Sequence, residues 1–170
     1  MATVKFISRK EMEHCVIPDR DTDIISITDP GADKAHFSDD SFHSVLRLCF
    51  DDVYDQGGIL PDEDPRGILW HSVYVFFDTL HARKIIEFIR ASTAKHLIVH
   101  CNAGISRSSA VAAFAADKYN YELSFGKYDT SGANPRVSRL LNKVYNGEEL
   151  KVFEYEDGLD DAFKVLAGAI

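Results

Sequence analysis

Short runs of apolar residues, rich in β-branched side chains, recur along the chain and predict β-strands. The predicted strands lie at residues 4–8, 23–32, 44–50 and 96–100. The turn signal Asp29-Pro30-Gly31 stops the second run, and Asp51-Asp52 closes the third. The run HLIVH at 96–100 is the most hydrophobic of the four, so we expect that strand to be buried.

Between these runs, apolar residues recur at three- and four-residue spacings, a repeat that predicts helices. The predicted helical segments are residues 9–15, 70–91, 107–119, a segment that begins at Asn134-Pro135, and residues 148–170 in two pieces. Pro135 is expected at the first position of its helix, where a missing N–H costs nothing. In the segment 70–91 the apolar positions are Phe77, Leu80, Ile85, Phe88 and Ile89.

The alternation of strands and helices predicts an α/β fold with a central, mainly parallel sheet flanked by helices. Residues 1–170 are read as one domain, because no interdomain linker or internal repeat is present. Residues 54–67 are rich in turn formers and acidic residues and predict a long loop. Ligands of such sheets bind outside the carboxyl ends of the strands. His100 and Cys101 stand at the carboxyl end of the most hydrophobic strand.

Composition and charge exclude several classes of function. The 170 residues carry a net charge of −8, which disfavours binding to nucleic acid or to anionic lipid. No apolar run approaches the length of a membrane helix, and residues 1–14 lack the features of a signal peptide. The three cysteines show no CxxC pair, which favours a reducing compartment. We therefore expect a cytoplasmic protein that binds neither membranes nor nucleic acid.

The stretch HCNAGISRS at residues 100–108 joins the buried strand to the alanine-rich helix. Unpaired N–H groups at a helix N-terminus favour an anion such as phosphate. The small residues of the cysteine loop, which we define as residues 102–106, allow its N–H groups to surround one anion, and Gly104 allows a tight bend. The loop residues are Asn102, Ala103, Gly104, Ile105 and Ser106. The guanidinium of Arg107 adds a planar fork that binds two phosphate oxygens.

The same positive environment favours the thiolate of Cys101, which would then be a nucleophile at the floor of an anion site. Ser108 is in position to hydrogen-bond the sulfur and help it leave in a second step. A buried cysteine at a strand end is often inert packing, and Cys-x5-Arg alone is a weak signal. The surrounding His100, Gly104 and Ser108, with a strand before and a helix after, make the whole string far more specific.

The string HCNAGISRS resembles the active-site signature of the cysteine-based protein tyrosine phosphatases, and the chain length resembles their compact dual-specificity branch. LRLCFDDV (46–53) is similar to the strand that leads into the family's general-acid loop, with Asp52 on the catalytic aspartate. HARKIIEFI (81–89) resembles the helix before the signature strand. ANPRVSRLL (133–141) resembles the segment whose asparagine, here Asn134, steadies the phosphate loop. The resemblance extends over about residues 23–145 and is specific only around 96–110.

Two features depart from the family. Asp52 lies farther from the cysteine than in most members of this size, because residues 54–66 are inserted. The Trp-Pro-Asp acid loop of the larger tyrosine-specific enzymes is absent.

The resemblance implies a dual-specificity-phosphatase-like fold and a two-step hydrolysis without metal or cofactor. Cys101 attacks phosphorus, Arg107 and the loop N–H groups stabilise the charged oxygens, and Asp52 protonates the leaving oxygen. Water then hydrolyses the cysteinyl-phosphate, with Asp52 as the base. His100 is expected to orient the loop and to tune the thiolate by hydrogen bonding, without a direct chemical role.

The general acid could also be another aspartate. Neighbours on an extended segment point to opposite sides, so only one of Asp51 and Asp52 can face the loop. The resemblance favours Asp52 and leaves Asp51 bonded to nearby backbone or solvated. Asp55 and Asp64 are further candidates for the acid, because the inserted segment could fold back.

Other polar residues and cysteines have less specific patterns. His71, His81 and His96 lack metal-ligand spacing and are expected at the surface or in packing contacts. Asp62, Glu63 and Asp64 predict a solvated loop that could shape substrate access. Cys49 could trap an oxidised Cys101 as a disulfide, although a packing role is the favoured interpretation.

The favoured function is hydrolysis of phosphotyrosine, with phosphoserine and phosphothreonine as further candidates, in a phosphorylated protein or peptide. One alternative is a phosphatase acting on a phosphoinositide or an RNA 5′ phosphate. Lipid-phosphate members of the family often carry lysines inside the loop, and NAGIS has none. A second alternative is a catalytically silent module that binds phosphate without hydrolysing it. The oligomeric state is left open.

Overall fold

The computed structural model describes residues 1–54, 74–124 and 129–148. The predicted tail helices after residue 148 and most of the predicted loop 54–67 lie outside the described residues.

A five-stranded sheet forms the centre of the protein, and all of its strand pairs are parallel. The strands are β1 (Thr3–Ser8), β2 (Thr22–Thr28), β3 (Ser44–Cys49), β4 (His96–Cys101) and β5 (Glu122–Leu123), in the order β3-β2-β4-β1-β5. This confirms the predicted α/β fold with a mainly parallel sheet. Strand β5 was not predicted from the sequence, because two residues are too few to show an alternation of apolar and polar positions.

Four helices flank the sheet: α1 (Arg9–Cys15), α2 (Thr79–Ala91), α3 (Arg107–Tyr119) and α4 (Pro135–Asn146). The predicted bounds of α1 and α3 are confirmed, and Pro135 is the first residue of α4. The prediction that a helix begins at Trp70 is wrong for residues 74–78, because the helix begins only at Thr79. Asp78 and His81 form a reciprocal capping box there and fix that start. Leu80, read as an apolar helix position, is 54% exposed.

Two hydrophobic cores cover the two faces of the sheet. Helices α2, α3 and α4 pack on one face, against strand residues such as Ile25, Ile27 and Val99. On the other face Met12 of α1 packs with Ile24, Phe42 and Ile98. Because successive strand residues point to opposite faces, β2 and β4 are apolar on both sides, as strands in the interior of a parallel sheet must be.

The strand order positions the cysteine loop. All strands run in the same direction, so β1, β2, β3 and β4 end at one edge of the sheet, at Ser8, Thr28, Cys49 and Cys101. Because β4 lies between β1 and β2, the segment that follows it leaves the sheet between the ends of its neighbours. Within the described ranges, no helix has the length and apolar character needed to cross a membrane.

Candidate active site

The cysteine loop makes a tight turn between β4 and α3, as the sequence predicts, and it lies against the end of β1. Gly104 has φ +72° and is buried. A Cβ at this position would lie 2.3 Å from Ser8 N and 2.4 Å from Ile7 C. The Arg9 N–H also donates to Asn102 O at 3.2 Å. Only glycine therefore permits this close approach of the loop to β1.

The last two carbonyl groups of the cysteine loop accept hydrogen bonds from α3 and from the start of α4. Ser109 Oγ lies 2.5 Å from Ile105 O and 3.0 Å from Ser106 O, and the Asn134 N–H donates to Ser106 O at 3.1 Å. In a planar trans peptide the N–H points away from the C=O. The N–H groups of Ser106 and Arg107 therefore point to the opposite side of the turn from these contacts.

Helix α3 begins without a side-chain cap, although Ser106 occupies the cap position. The first N–H groups of a helix have no partner within the helix, so these donors remain available to an anion. Together with the inward-pointing N–H groups of the loop, they give one helix terminus that can bind a phosphate group.

Cys101 lies at the base of this turn and is 1% exposed. Its Sγ is 3.2 Å from Ser108 Oγ, and Ser108 is fully buried in the first turn of α3. The structure therefore brings together the thiol and the hydroxyl that the sequence predicted as partners. A hydroxyl at this distance can donate a hydrogen bond to the sulfur.

The Arg107 guanidinium is buried beside the loop and is held by two acceptors. Its Nη1 donates to Phe50 O at 2.6 Å, and its Nη2 forms an ion pair with Asp29 Oδ1 at 2.7 Å. Arg107 Nε is buried and has no hydrogen-bond partner in the part of the chain that the structure describes. The side chain is thus fixed by Phe50 and Asp29, with one buried donor left for a ligand.

Asp29 is a site residue that was not predicted from the sequence, where Asp29-Pro30-Gly31 indicates only the turn that ends a strand. Its carboxylate is the ionic partner of Arg107, and this role depends on β2 lying next to β4 in the sheet. The signal available in the sequence was an acidic residue directly after a strand, at the edge where an α/β sheet binds its ligands.

Asp52 lies over the loop and is held there by two donors, one from the loop and one from the start of α4. Its Oδ1 accepts a hydrogen bond from Ser106 Oγ at 2.7 Å and from Asn134 Nδ2 at 2.7 Å. The residue is exposed on its remaining side. Asn134 also donates to Val53 O at 3.1 Å, while its Oδ1 caps α4. Asn134 therefore contacts both the loop and the segment that carries Asp52.

Asp51 forms its hydrogen bonds with the backbone of Val75 and has none with the loop among the described residues. Its Oδ2 accepts the Val75 N–H at 2.7 Å, and its own N–H donates to Val75 O at 2.7 Å. This is the backbone-bonded position expected for the aspartate that is not the acid. The further candidates Asp55 and Asp64 lie outside the described residues, as do His71, Asp62 and Glu63.

His100 lies on the opposite face of the sheet from Cys101. It is fully buried, with Nε2 2.8 Å from Ser26 Oγ, and its ring packs edge-on to Phe37. Burial, assisted by the nearby positive charge of Arg47, lowers the pKa of His100 from 6.5 to about 4. A neutral imidazole bonded to Ser26 ties β4 to β2 on the face away from the sulfur. That His100 orients the loop and tunes the thiolate stays a prediction.

Cys49 does not pack in the core, and the expectation that it does is wrong, because its side chain is exposed at the end of the edge strand β3. Leu48, its neighbour on β3, shares the core of Cys101, so Cys49 points to the other face of the sheet. Partial burial and the carboxylates of Asp51 and Asp29 raise the pKa of the Cys49 thiol. A disulfide with Cys101 is therefore disfavoured in this fold.

His81 and His96 have local partners, as expected for histidines in packing or surface contacts. His81 belongs to the capping box of α2 and stacks on Phe77, and His96 Nδ1 lies 2.8 Å from Thr3 Oγ1. In residues 1–54, 74–124 and 129–148, no group of three or more potential metal ligands is found.

No protein-family model matches this chain, and no curated protein or solved structure matches it either. The functional interpretation therefore depends on the signature residues and on the geometry described above.

Replacing Asp29 tests how far its carboxylate stabilises the buried guanidinium. Asp29→Ala leaves a buried charge without its ionic partner, and a hydrogen bond to a charged group contributes about 1.5–3 kcal/mol. Because the Asp29 side chain is 41% exposed, we expect the lower end of that range. The measurement is the free energy of unfolding in urea. The control Asp33→Ala, at an exposed position just after the same turn, should change it by less than about 0.5 kcal/mol.

The buried neutral His100 predicts a loss of stability in weak acid. The unfolded chain binds a proton near pH 6.5, and the folded chain does so only near pH 4. The free energy of unfolding should therefore fall by about 2 kcal/mol from this residue between pH 7 and pH 5. His100→Asn should flatten that slope, whatever its stability at pH 7, and His14→Asn, at an exposed position, should keep it. An unchanged slope in His100→Asn would show that other groups cause the pH dependence.

Proposed function

We propose that this protein is a phosphomonoesterase of the cysteine-dependent protein tyrosine phosphatase type. Its substrate would be phosphotyrosine, with phosphoserine or phosphothreonine as further candidates, in a protein or peptide. The observation that carries the proposal is the meeting of three groups at one strand end. Cys101 lies at the base of an uncapped helix N-terminus, Arg107 keeps a buried Nε without a partner among the described residues, and Asp52 is tied above them.

The anion site is formed by donors that need no rearrangement. A phosphate dianion in the turn would accept bonds from the N–H groups of Ser106 and Arg107 and from Arg107 Nε. Donors fixed in advance stabilise developing charge without the cost of reorienting solvent. The dianion would also satisfy the guanidinium nitrogen that the described part of the fold leaves buried and unbonded.

The first step transfers the phosphoryl group to sulfur. The Cys101 thiolate attacks phosphorus in line, the S–P bond forms, and the bond from phosphorus to the leaving oxygen breaks. Asp52 gives its proton to that oxygen. Ser106 and Asn134 both bind Asp52 Oδ1, so Oδ2 is the oxygen available to carry the proton.

The second step returns the enzyme to its starting state. Asp52, now a carboxylate, takes a proton from a water molecule, whose oxygen attacks phosphorus as the S–P bond breaks. The Ser108 hydroxyl lies 3.2 Å from Sγ and would donate to the departing thiolate. The products are inorganic phosphate and the free thiolate, and no redox partner is needed.

The signature, the parallel sheet and the loop at the end of β4 together support a fold like that of the dual-specificity phosphatases. A silent phosphate-binding module would need the same anion site but would not need Asp52 so placed. Phosphoinositide and RNA substrates are disfavoured by the absence of lysine from the loop and by the net charge of −8.

The proposal predicts hydrolysis of an aryl phosphate that is insensitive to chelators and inhibited by vanadate. Cys101→Ser should lose turnover yet still bind inorganic phosphate, because backbone N–H groups and Arg107 form the anion site. Arg107→Lys should lower kcat by about 10²–10³, since a point charge cannot replace the planar fork. Steady-state kinetics measure the loss of turnover, and calorimetric titration measures the binding of inorganic phosphate. Cys49→Ser is the matched control for the cysteine substitution.

Three results would contradict this mechanism. If Cys101→Ser kept more than a few per cent of the turnover, the thiol would not be the nucleophile. If chelation abolished turnover in wild type, a metal would carry the reaction. Phosphate binding without any turnover in wild type would favour the silent module.

The contacts of the adjacent aspartates predict which of them is the acid. Asp52→Asn should lower kcat by about 10²–10⁴ for a substrate with a poor leaving group, and by much less for an activated aryl phosphate. Asp51→Asn should stay within a few-fold of wild type, because an amide oxygen still accepts the Val75 N–H. The measurement is kcat across leaving groups of different pKa. If only Asp51→Asn shows this dependence on the leaving group, Asp51 is the acid. If neither variant shows it, the acid is a residue outside the described ranges.

A further inference from the structure

A second group of hydrogen-bonded polar side chains lies at the amino ends of the strands, at the opposite edge of the sheet from Cys101. His43 Nδ1 is 2.8 Å from Asp23 Oδ1, and His43 Nε2 is 3.2 Å from Thr93 Oγ1. Asp23 is in β2, His43 directly precedes β3, and Thr93 lies between α2 and β4. The three side chains form a continuous series of hydroxyl, imidazole and carboxylate that the proposed phosphatase mechanism does not use.

The carboxylate determines which nitrogen of His43 carries the proton. A carboxylate can only accept hydrogen bonds, so His43 Nδ1 is the donor to Asp23. The other nitrogen of a neutral imidazole is then an acceptor, and the Thr93 hydroxyl donates to Nε2. The hydroxyl proton of Thr93 therefore already points at the base that would remove it.

The exposure of the three side chains increases from the carboxylate to the hydroxyl. The side chain of Asp23 is 2% exposed, that of His43 is 36% exposed, and Thr93 is exposed. A carboxylate shielded from water attracts a positive charge on the imidazole ring more strongly than a solvated one does. A proton taken up by the ring is thus stabilised from the buried side, while the hydroxyl stays open to a reactant.

Backbone hydrogen bonds fix the segments that carry the base and the hydroxyl. The His43 N–H donates to Thr22 O at 2.9 Å, which ties the start of β3 to β2. The Lys95 N–H donates to Asp21 O at 2.9 Å, which ties the segment of Thr93 to the residue before β2. A nucleophile and a base that are held together react faster than groups that must first meet.

Thr3 and His96 provide an internal comparison at the same edge of the sheet. Thr3 Oγ1 lies 2.8 Å from His96 Nδ1, so a second hydroxyl is paired with an imidazole. Within the described residues no carboxylate is hydrogen-bonded to the other nitrogen of His96. Thr3 is therefore a control hydroxyl that has the base but lacks the carboxylate.

We propose that Thr93 is a covalent acceptor site whose hydroxyl, activated by His43 and Asp23, takes an acyl group from an activated ester. Hydrolases with unrelated folds use the same arrangement of nucleophile, base and carboxylate, which is recognised by its geometry and not by sequence position. This site is independent of the proposed phosphatase.

The transfer takes place in one addition and one elimination. Thr93 Oγ attacks the acyl carbon as His43 Nε2 takes the hydroxyl proton, and Asp23 balances the charge of the imidazolium. The bond from the acyl carbon to the leaving oxygen then breaks, and His43 gives the proton to that oxygen. The products are an ester on Thr93 and a free alcohol or phenol.

The test uses 4-nitrophenyl acetate as the acyl donor, on wild type and on Cys101→Ser. Tryptic peptides are followed with time by mass spectrometry, and the acetyl group is located on residues 91–95 and on the peptide that contains Thr3. Release by neutral hydroxylamine distinguishes an ester on Thr93 from an amide on Lys95. Circular dichroism and thermal unfolding establish that each variant is folded.

We expect Thr93 to be acetylated on the order of 10²-fold faster than Thr3. His43→Gln should lower the rate at Thr93 by about 10²-fold or more, because a general base contributes at least that much. Asp23→Asn should bring the rate close to that of Thr3, which has no carboxylate either. Thr93→Ser should keep the reactivity, and the matched control Thr3→Val should leave the rate at Thr93 unchanged.

Three outcomes would overturn the inference. The first is that Thr93 reacts no faster than Thr3, and the second is that folded His43→Gln keeps the wild-type rate. The third is that acetylation of Thr93 disappears in Cys101→Ser, since the acetyl group would then arrive by transfer from the cysteine. If Asp23→Asn does not fold, His43→Gln decides, because His43 is partly exposed.

Discussion

The absence of a side chain at Gly104 is the constraint on which the rest of the site depends. A Cβ there would overlap the backbone of Ile7 and Ser8, so any other residue would push the cysteine loop away from β1. The contact from Arg9 to Asn102 would then be lost, and the later loop carbonyls would no longer be held by Ser109 and Asn134. The direction of the N–H groups follows from those carbonyls. A local backbone contact thus determines whether the turn can bind an anion.

Burial of Arg107 is the second requirement, and it is energetically costly. Moving a charged group out of water costs several kcal/mol unless partners replace the lost hydration. Phe50 and Asp29 replace part of it, and the buried Nε remains unsatisfied within the described residues. A free protein that keeps one donor unbonded is less stable than it could be. Binding of the proposed phosphate would recover that free energy, so stability lost in the free state would contribute to affinity for the ligand.

Residues with local roles could be predicted from spacing, and Asp52 and Asn134 only from the family resemblance. Residues whose contacts depend on strand order, and which the resemblance does not include, were missed. The strand–loop–helix unit around Cys101, Arg107 and Ser108 lies within thirteen residues of β4 and the start of α3, so spacing and residue type were sufficient. Asp29 and Tyr54 reach the loop only because β2 borders β4 and the segment after β3 folds over it. Helix α2 was predicted too long, because apolar residues before Asp78 continue the helical spacing, although the capping box starts the helix only at Thr79.

The negative charge of the protein does not oppose the site as strongly as its total suggests. Among the described residues three aspartates lie near the loop, and each carboxylate is bonded to a donor: Asp29 to Arg107, Asp51 to the Val75 N–H, and Asp52 to Ser106 and Asn134. Unit charges about 4 Å apart interact by about 1 kcal/mol in water and by about 4 kcal/mol at a partly buried site. The buried guanidinium and the loop N–H groups would touch the phosphate, whereas the exposed acids act through solvent. Proximity and burial therefore outweigh net charge, and the proposed acid can stand beside a dianion.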